Sequence, residues 1–227
     1  MSGEETGILL LSLKVAFVGL AASLPPAIAV AFVLARKRFP GKTLFDAFVH
    51  LPLVLPPVVV GYALLVFFGT QGPIGGLLEP LGIVFAFRWT GAALAAAIMG
   101  FPLLVRAIRL AMETVDPRIE AAARTLGASR TRVFFTVTMP LSVSGIVTGA
   151  LLSFARSLGE FGATITFVSN IPGETRTLPL AIYTFTQVPG GDAQALRLAL
   201  FSVALSLAAL AFSEWLVRRS SAHASHA

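Results

Sequence analysis

The sequence predicts an all-α polytopic membrane protein with about five transmembrane helices, and three observations predict it. The first is composition. Of 227 residues, 56% are hydrophobic and only 12% charged, with a mean hydropathy of +0.85, whereas soluble domains carry roughly a quarter charged residues. A chain this apolar collapses or aggregates in water unless lipid solvates it. The second is a set of five stretches free of Asp, Glu, Lys and Arg, 16 to 32 residues long. A hydrocarbon core roughly 30 Å thick needs about 20 apolar residues per crossing helix. The third is that 12 of the 17 basic residues follow the first, third and fifth stretches. Together these exclude a soluble enzyme, a disordered linker and a nucleic-acid-binding domain. The formal net charge of +6 reads as membrane orientation rather than as a phosphate footprint.

The expected spans are residues 8–35, 47–68, 90–108, 141–156 and 196–217. The first is expected to be a retained helix rather than a signal peptide: Glu4 and Glu5 precede it, the basic cluster Arg36-Lys37-Arg38 comes after it, and it exceeds an h-region in length. Arg36, Lys37, Arg38 and Lys42 follow span one, six arginines from Arg106 to Arg132 follow span three, and Arg218 and Arg219 follow span five. The positive-inside bias assigns these to the cytoplasm, which puts the N-terminus outside and the C-terminus inside. Pro25-Pro26, Pro52, Pro56-Pro57 and Pro102 fall within spans. Each removes a backbone donor and is expected to kink or interrupt its helix. Ordinary kinked packing and bending around a polar pathway both fit.

The loop between spans three and four, residues 116–140, is soluble in character. Asp116-Pro117 reads as an N-cap followed by proline at the first helical position. Helix formers continue to Leu126, and Gly127 supplies the stop. Glu120 and Arg124 stand at i,i+4 in the favourable order. Ser129 caps a second expected helix, 130–138, which Pro140 ends. A short alanine-rich helix of this kind suits a groove in another protein, although a solvated hairpin has the same pattern.

At these residues the sequence resembles a known family. Glu120-Ala121-Ala122, Gly127 and Val137-Thr138-Met139-Pro140 resemble the EAA loop of bacterial ABC-importer permeases. The Glu stands seven residues before Gly127, one more than in the family pattern, which turns it about 100° around the helix axis. A second run, Phe154-Ala155-Arg156-Ser157-Leu158-Gly159-Glu160-Phe161-Gly162-Ala163-Thr164 continuing through Asn170-Ile171-Pro172-Gly173-Glu174-Thr175-Arg176, resembles molybdate permeases. Sulfate permeases share its Arg-x-x-Gly-Glu portion. The resemblance implies the type I ABC-importer permease architecture, one transmembrane domain over 1–227 with a cytoplasmic coupling helix in 116–140. It further implies coupling through Glu120, Ala121, Ala122, Arg124 and Gly127, a delivery protein outside for the oxyanion, two cytoplasmic ATP-binding subunits that carry ATP and Mg, and molybdate or tungstate as cargo in a bacterial inner membrane.

Arg156 and Glu160 lie at the outer end of span four, where ionisable groups are functional candidates. They form either an interfacial i,i+4 anchor or an oxyanion attractor, with Glu160 holding the Arg156 side chain. Ser153, Ser157, Thr164 and Asn170 add hydroxyl and amide groups able to hydrogen-bond an oxyanion weakly, as a path requires. Gly145, Gly149, Ser153 and Ser157 also form a small-xxx-small face, which suits helix packing. Residues 161–195 read as an external loop with a short helix at 178–186, either a docking surface or a simple cover. No cofactor is expected on this chain. Gly41-Lys42-Thr43 has Arg36 where a phosphate-binding loop needs glycine. His50, His223 and His226 form no ligand cluster, cysteine is absent, and neither a metal site nor a catalytic constellation is expected. Five spans enclose too little for a pathway, so a homodimer in lipid is expected, without nucleic acid. The other readings to be weighed are a sulfate or thiosulfate permease, a non-transporting scaffold and a proton-coupled carrier.

Overall fold

The computed structural model describes residues 3–224, with the side chains of 209–210 and 212–224 left outside that description. Arg218, Arg219, His223 and His226 therefore lie outside the described side chains. Among the described residues the chain is helical throughout its regular elements. Helix α1 (Gly3–Arg36) contains the first expected span. Its buried stripe repeats small residues, Ser12, Ala16, Gly19, Ser23, Ala27 and Ala31. The backbones therefore approach closely, as apolar helices in lipid must to gain packing energy. A Cβ on Gly19 would stand 2.8 Å from the Ala93 carbonyl oxygen.

Span two is broken. Helix α2 (Lys42–Val54) and α3 (Pro57–Phe68) meet at 110°. Leu55 precedes proline and is extended, and Pro56 and Pro57 cannot donate the amides that would carry the helix through. The other in-span prolines behave differently: Pro25-Pro26, Pro52 and Pro102 lie inside uninterrupted helices. Helix α4 (Trp89–Thr114) is the central post, touching α1, α2, α3 and three later helices. Its alanines 92, 93, 95 and 96 are fully or almost fully buried.

The 116–140 loop holds α5 (Pro117–Thr125) and the first part of α6 (Arg130–Leu141). Pro140 does not end the second helix as expected. Residues Phe134–Thr138 widen into a π turn, in which the Met139 amide reaches back to the Phe134 carbonyl. The proline, which has no amide to donate, then sits at the start of the next turn. The chain bends by 67° at Ser142 into α7 (Val143–Leu158). Ser142 is fully buried, and both its amide and its hydroxyl bond the Thr138 carbonyl. On α7, Gly145 and Gly149 face Ala107, Ala111 and Leu104 of α4.

Beyond α7 the chain is not an open loop throughout. Residues Gly162–Val168 form α8, whose Ala163, Phe167 and Val168 are fully buried among residues of α3 and α4. This seven-residue segment is too short to register as a span, yet it fills core between two helices. Helix α9 (Leu178–Thr186) forms where expected. It packs with α1 and the last helix, α10 (Asp192–Ala224), around Ile8, Leu178, Ala181 and Leu198. Among the described residues, α1 and α4 are each long and apolar enough to cross a membrane, and the two bent pairs raise the number to four. Helix α10 covers the fifth expected span.

Candidate functional site

The 116–140 loop is built as its local sequence dictates. The Asp116 carboxylate accepts the Arg118 amide at 2.8 Å, and Ser129 accepts the Arg132 amide at 3.2 Å. Gly127 adopts φ +88°, a left-handed conformation that side-chain-bearing residues rarely tolerate. None of the residues of α5 is buried. Ala121, Ala122, Arg124 and Gly127 are exposed, and Leu126 is 88% exposed at the helix end.

Glu120 is the exception on this rod, because its carboxylate turns inward. Its Oε1 accepts from Arg36 Nε at 3.0 Å, from Arg36 Nη2 at 2.8 Å and from Thr138 Oγ1 at 2.8 Å. Arg36 Nη2 also donates to the Val115 carbonyl at 3.1 Å. The i,i+4 pairing anticipated with Arg124 is therefore not made between the charged ends. Arg124 Nε instead reaches the Glu120 backbone carbonyl at 3.3 Å. An exposed helical pair contributes only a few tenths of a kcal/mol. The guanidinium fork of Arg36 offers two charge-assisted bonds in a half-buried setting. Sequence reading missed Arg36 and Thr138 here because they lie 84 and 18 residues from Glu120.

At the other end of α7, Arg156 Nη1 stands 2.6 Å from Glu160 Oε2. The Glu160 side chain is 2% exposed and that of Arg156 28%. Glu160 Oε1 accepts the Ala163 amide at 2.8 Å, so the carboxylate also caps α8. Ser157 donates to the Ser153 carbonyl at 2.8 Å and lies 3.3 Å from the Ala96 carbonyl. Ser153 is fully buried against Gly100 of α4. Both serines thus face α4. Thr164 is buried on α8. Asn170 lies further along: its amide donates to Thr184 Oγ1 at 2.6 Å, and its carbonyl accepts from Arg176 Nε at 3.1 Å. The six residues therefore do not converge on one point. Arg156, Glu160 and the two serines share the α7 end, while Asn170 braces the following turn to α9.

A further charged cluster was not anticipated. Arg109 on α4 bonds Asp46 of α2 at 2.7 Å and Glu113 at 2.8 Å, and His50 Nδ1 stands 3.1 Å from Asp46. With Arg106 and Leu110 they line a cavity of about 390 Å³. Asp46 and Arg109 are 63 residues apart, so no local pattern betrays the bridge. Among the described residues no group of three or more His, Cys, Asp or Glu is arranged to hold a metal ion.

The family model described as binding-protein-dependent transport system inner membrane component matches residues 27–222. The molybdenum transport system permease protein ModB of Escherichia coli K12 is 60% identical over 219 residues, 96% of each chain. The sulfate transport system permease protein CysT of Salmonella typhimurium is 40% identical over 158 residues, 70% of this chain and 57% of that one. Among solved structures, a bacterial alginate ABC transporter in complex with an alginate pentasaccharide-bound periplasmic protein superposes with a TM-score of 0.76. It is 17% identical over 96% of this chain and 80% of that chain, a likeness that speaks to the fold.

Proposed function

Since the chain belongs to the family of inner membrane components of binding-protein-dependent transport systems, we propose that it is the multi-pass permease subunit of an ABC importer for molybdate. The near-full-length match to a molybdenum permease, set against the shorter and weaker match to a sulfate permease, carries the choice of cargo.

Two negative charges entering a cell that is negative inside work against about 4.6 kcal/mol per 100 mV. Bare passage through hydrocarbon would add a Born cost of tens of kcal/mol. The permease therefore needs a polar path and an energy source. ATP binding and hydrolysis with Mg belong to two cytoplasmic partner subunits, and a delivery protein outside the membrane presents the anion. The N-terminus lies outside and the C-terminus inside, which puts α5 where those ATP-binding subunits can reach it. The exposed Ala121, Ala122, Arg124, Leu126 and Gly127 form its docking face. Two such chains form a homodimer with the path between them. The apolar residues left uncovered along α2 and α3, such as Leu44, Phe48 and Tyr62, suit a partner helix or lipid. Docking in a two-state partner shifts the permease between outward- and inward-facing forms only if the two states hold α5 differently.

The test is uptake of labelled molybdate by proteoliposomes containing the whole complex, with unlabelled sulfate as competitor. Molybdate uptake that resists a large excess of sulfate is expected. Equal competition at low concentration would assign the chain to sulfate, the second reading, which the 40% identical relative keeps in view.

A further inference from the structure

The importer reading takes the coupling rod as the place where force enters. It leaves open how that force leaves a helix with no buried residue. We infer that Arg36, the last residue of α1, is a positioning residue for coupling: it locks Glu120 so that a displacement of α5 is delivered to α1, to the end of α4 and to α6 together. This rests on the importer reading and adds a residue and a route to it.

The geometry is a single junction. One carboxylate oxygen, Glu120 Oε1, receives two bonds from the Arg36 guanidinium and one from Thr138. The same guanidinium reaches the Val115 carbonyl where α4 has just ended. Four segments therefore meet at one ion pair: the α1 terminus, the α4 cap, the rod and the π turn that leads into the bent span. The side chains of Arg36 and Glu120 are only 16% and 15% exposed, so water screens the pair weakly. Apart from this junction the rod rests on α6, to which the turn at 126–129 links it, and is tied to α4 through Val115-Asp116. A push on an unbraced rod would be spent in rotating those turns. Braced, it moves the ends of three membrane helices at once.

The chemistry explains why arginine stands there. Its planar fork presents Nε and Nη2 to one carboxylate while the same Nη2 also serves a carbonyl. Lysine, a point charge on a flexible stem, cannot hold that arrangement. The positive charge also suits the C-terminal end of α1.

The experiment uses the complete complex of permease, ATP-binding subunits and delivery protein in proteoliposomes, and reads molybdate taken up per ATP hydrolysed. Arg36→Gln and Arg36→Lys complexes should assemble and hydrolyse ATP, while uptake per ATP falls by about tenfold, a usual size for a coupling between sites. Hydrolysis should also lose its stimulation by loaded delivery protein. Thr138→Val should lower the ratio less, by about twofold. Arg36→Gln with Glu120→Gln should be no worse coupled than the worse single variant, since both break the same contact. A ratio within twofold of wild type in assembled Arg36→Gln and Arg36→Lys complexes overturns the inference. So does a parallel fall of uptake and hydrolysis at constant ratio, or failure of both variants to assemble, because each marks a merely structural role. If the wild-type complex carries sulfate instead, only the cargo assignment fails and the same ratio is read with sulfate. A wild-type complex that hydrolyses ATP and moves neither anion refutes the importer reading, and the inference with it.

Discussion

The Arg156–Glu160 pair predicts an unequal response to removing its two halves. Glu160 is almost fully buried, accepts the Ala163 amide and lies 2.6 Å from Arg156, whose side chain keeps 28% of its surface. Glu160→Ala removes a helix cap, typically about 1 kcal/mol, together with the ion pair. The arginine left behind can swing toward water, so the total should stay near 2–3 kcal/mol, below the about 3–5 kcal/mol for stranding a buried charge. Arg156→Ala does strand one: the carboxylate keeps the Ala163 amide but loses its cation, and the loss should reach about 3–5 kcal/mol. Glu160→Gln keeps an acceptor for the cap and should cost the least, about 1–2 kcal/mol. The double variant Arg156→Ala/Glu160→Ala should be less unstable than the sum of the singles by about 2 kcal/mol. Unfolding by SDS titration in mixed micelles, followed by tryptophan fluorescence, measures all four. Glu160→Ala proving more damaging than Arg156→Ala, or strict additivity, would refute the reasoning. The same double variant separates the two roles considered for Arg156: if it also draws the anion inward, uptake should be lost even where the fold survives.

Leu126→Asp and Ala121→Asp should abolish co-purification with the ATP-binding subunit. They should leave SDS unfolding within about 0.5 kcal/mol of wild type, because both positions are exposed; retained co-purification would place docking elsewhere and favour a scaffold. Gly145→Leu should lose about 3 kcal/mol or more, since even a Cβ there would overlap Ala111 and stand 2.9 Å from the Ala107 carbonyl. Monodisperse elution at wild-type yield in mild detergent would show that α4 and α7 separate more readily than their packing implies.

How much of this was legible in the sequence depended on distance along the chain. Asp116, Ser129 and Gly127 act on backbone within three residues, so their caps and stop could be read directly. Long charge-free runs gave the spans for the same reason: burial in lipid is decided residue by residue. Prolines were ambiguous. Pro56-Pro57 break a span while Pro25-Pro26 do not, although the dipeptide is the same in both. Short buried α8 was hidden because a seven-residue segment with two threonines resembles any loop with a few hydrophobic positions. The partner of Glu120 was hidden for a different reason. The weak neighbour, Arg124, is visible at four residues' spacing, and the stronger one comes from another helix.

The widened turn at Phe134–Thr138 carries a further consequence. A π turn holds one spare residue, so it sets the rotational phase of everything after it. Deleting one residue there would give a better hydrogen-bonded α-helix, yet it would swing the downstream glycine face by about 100° away from the alanines it meshes with. Insertions and deletions in this stretch should therefore be far less tolerated than substitutions.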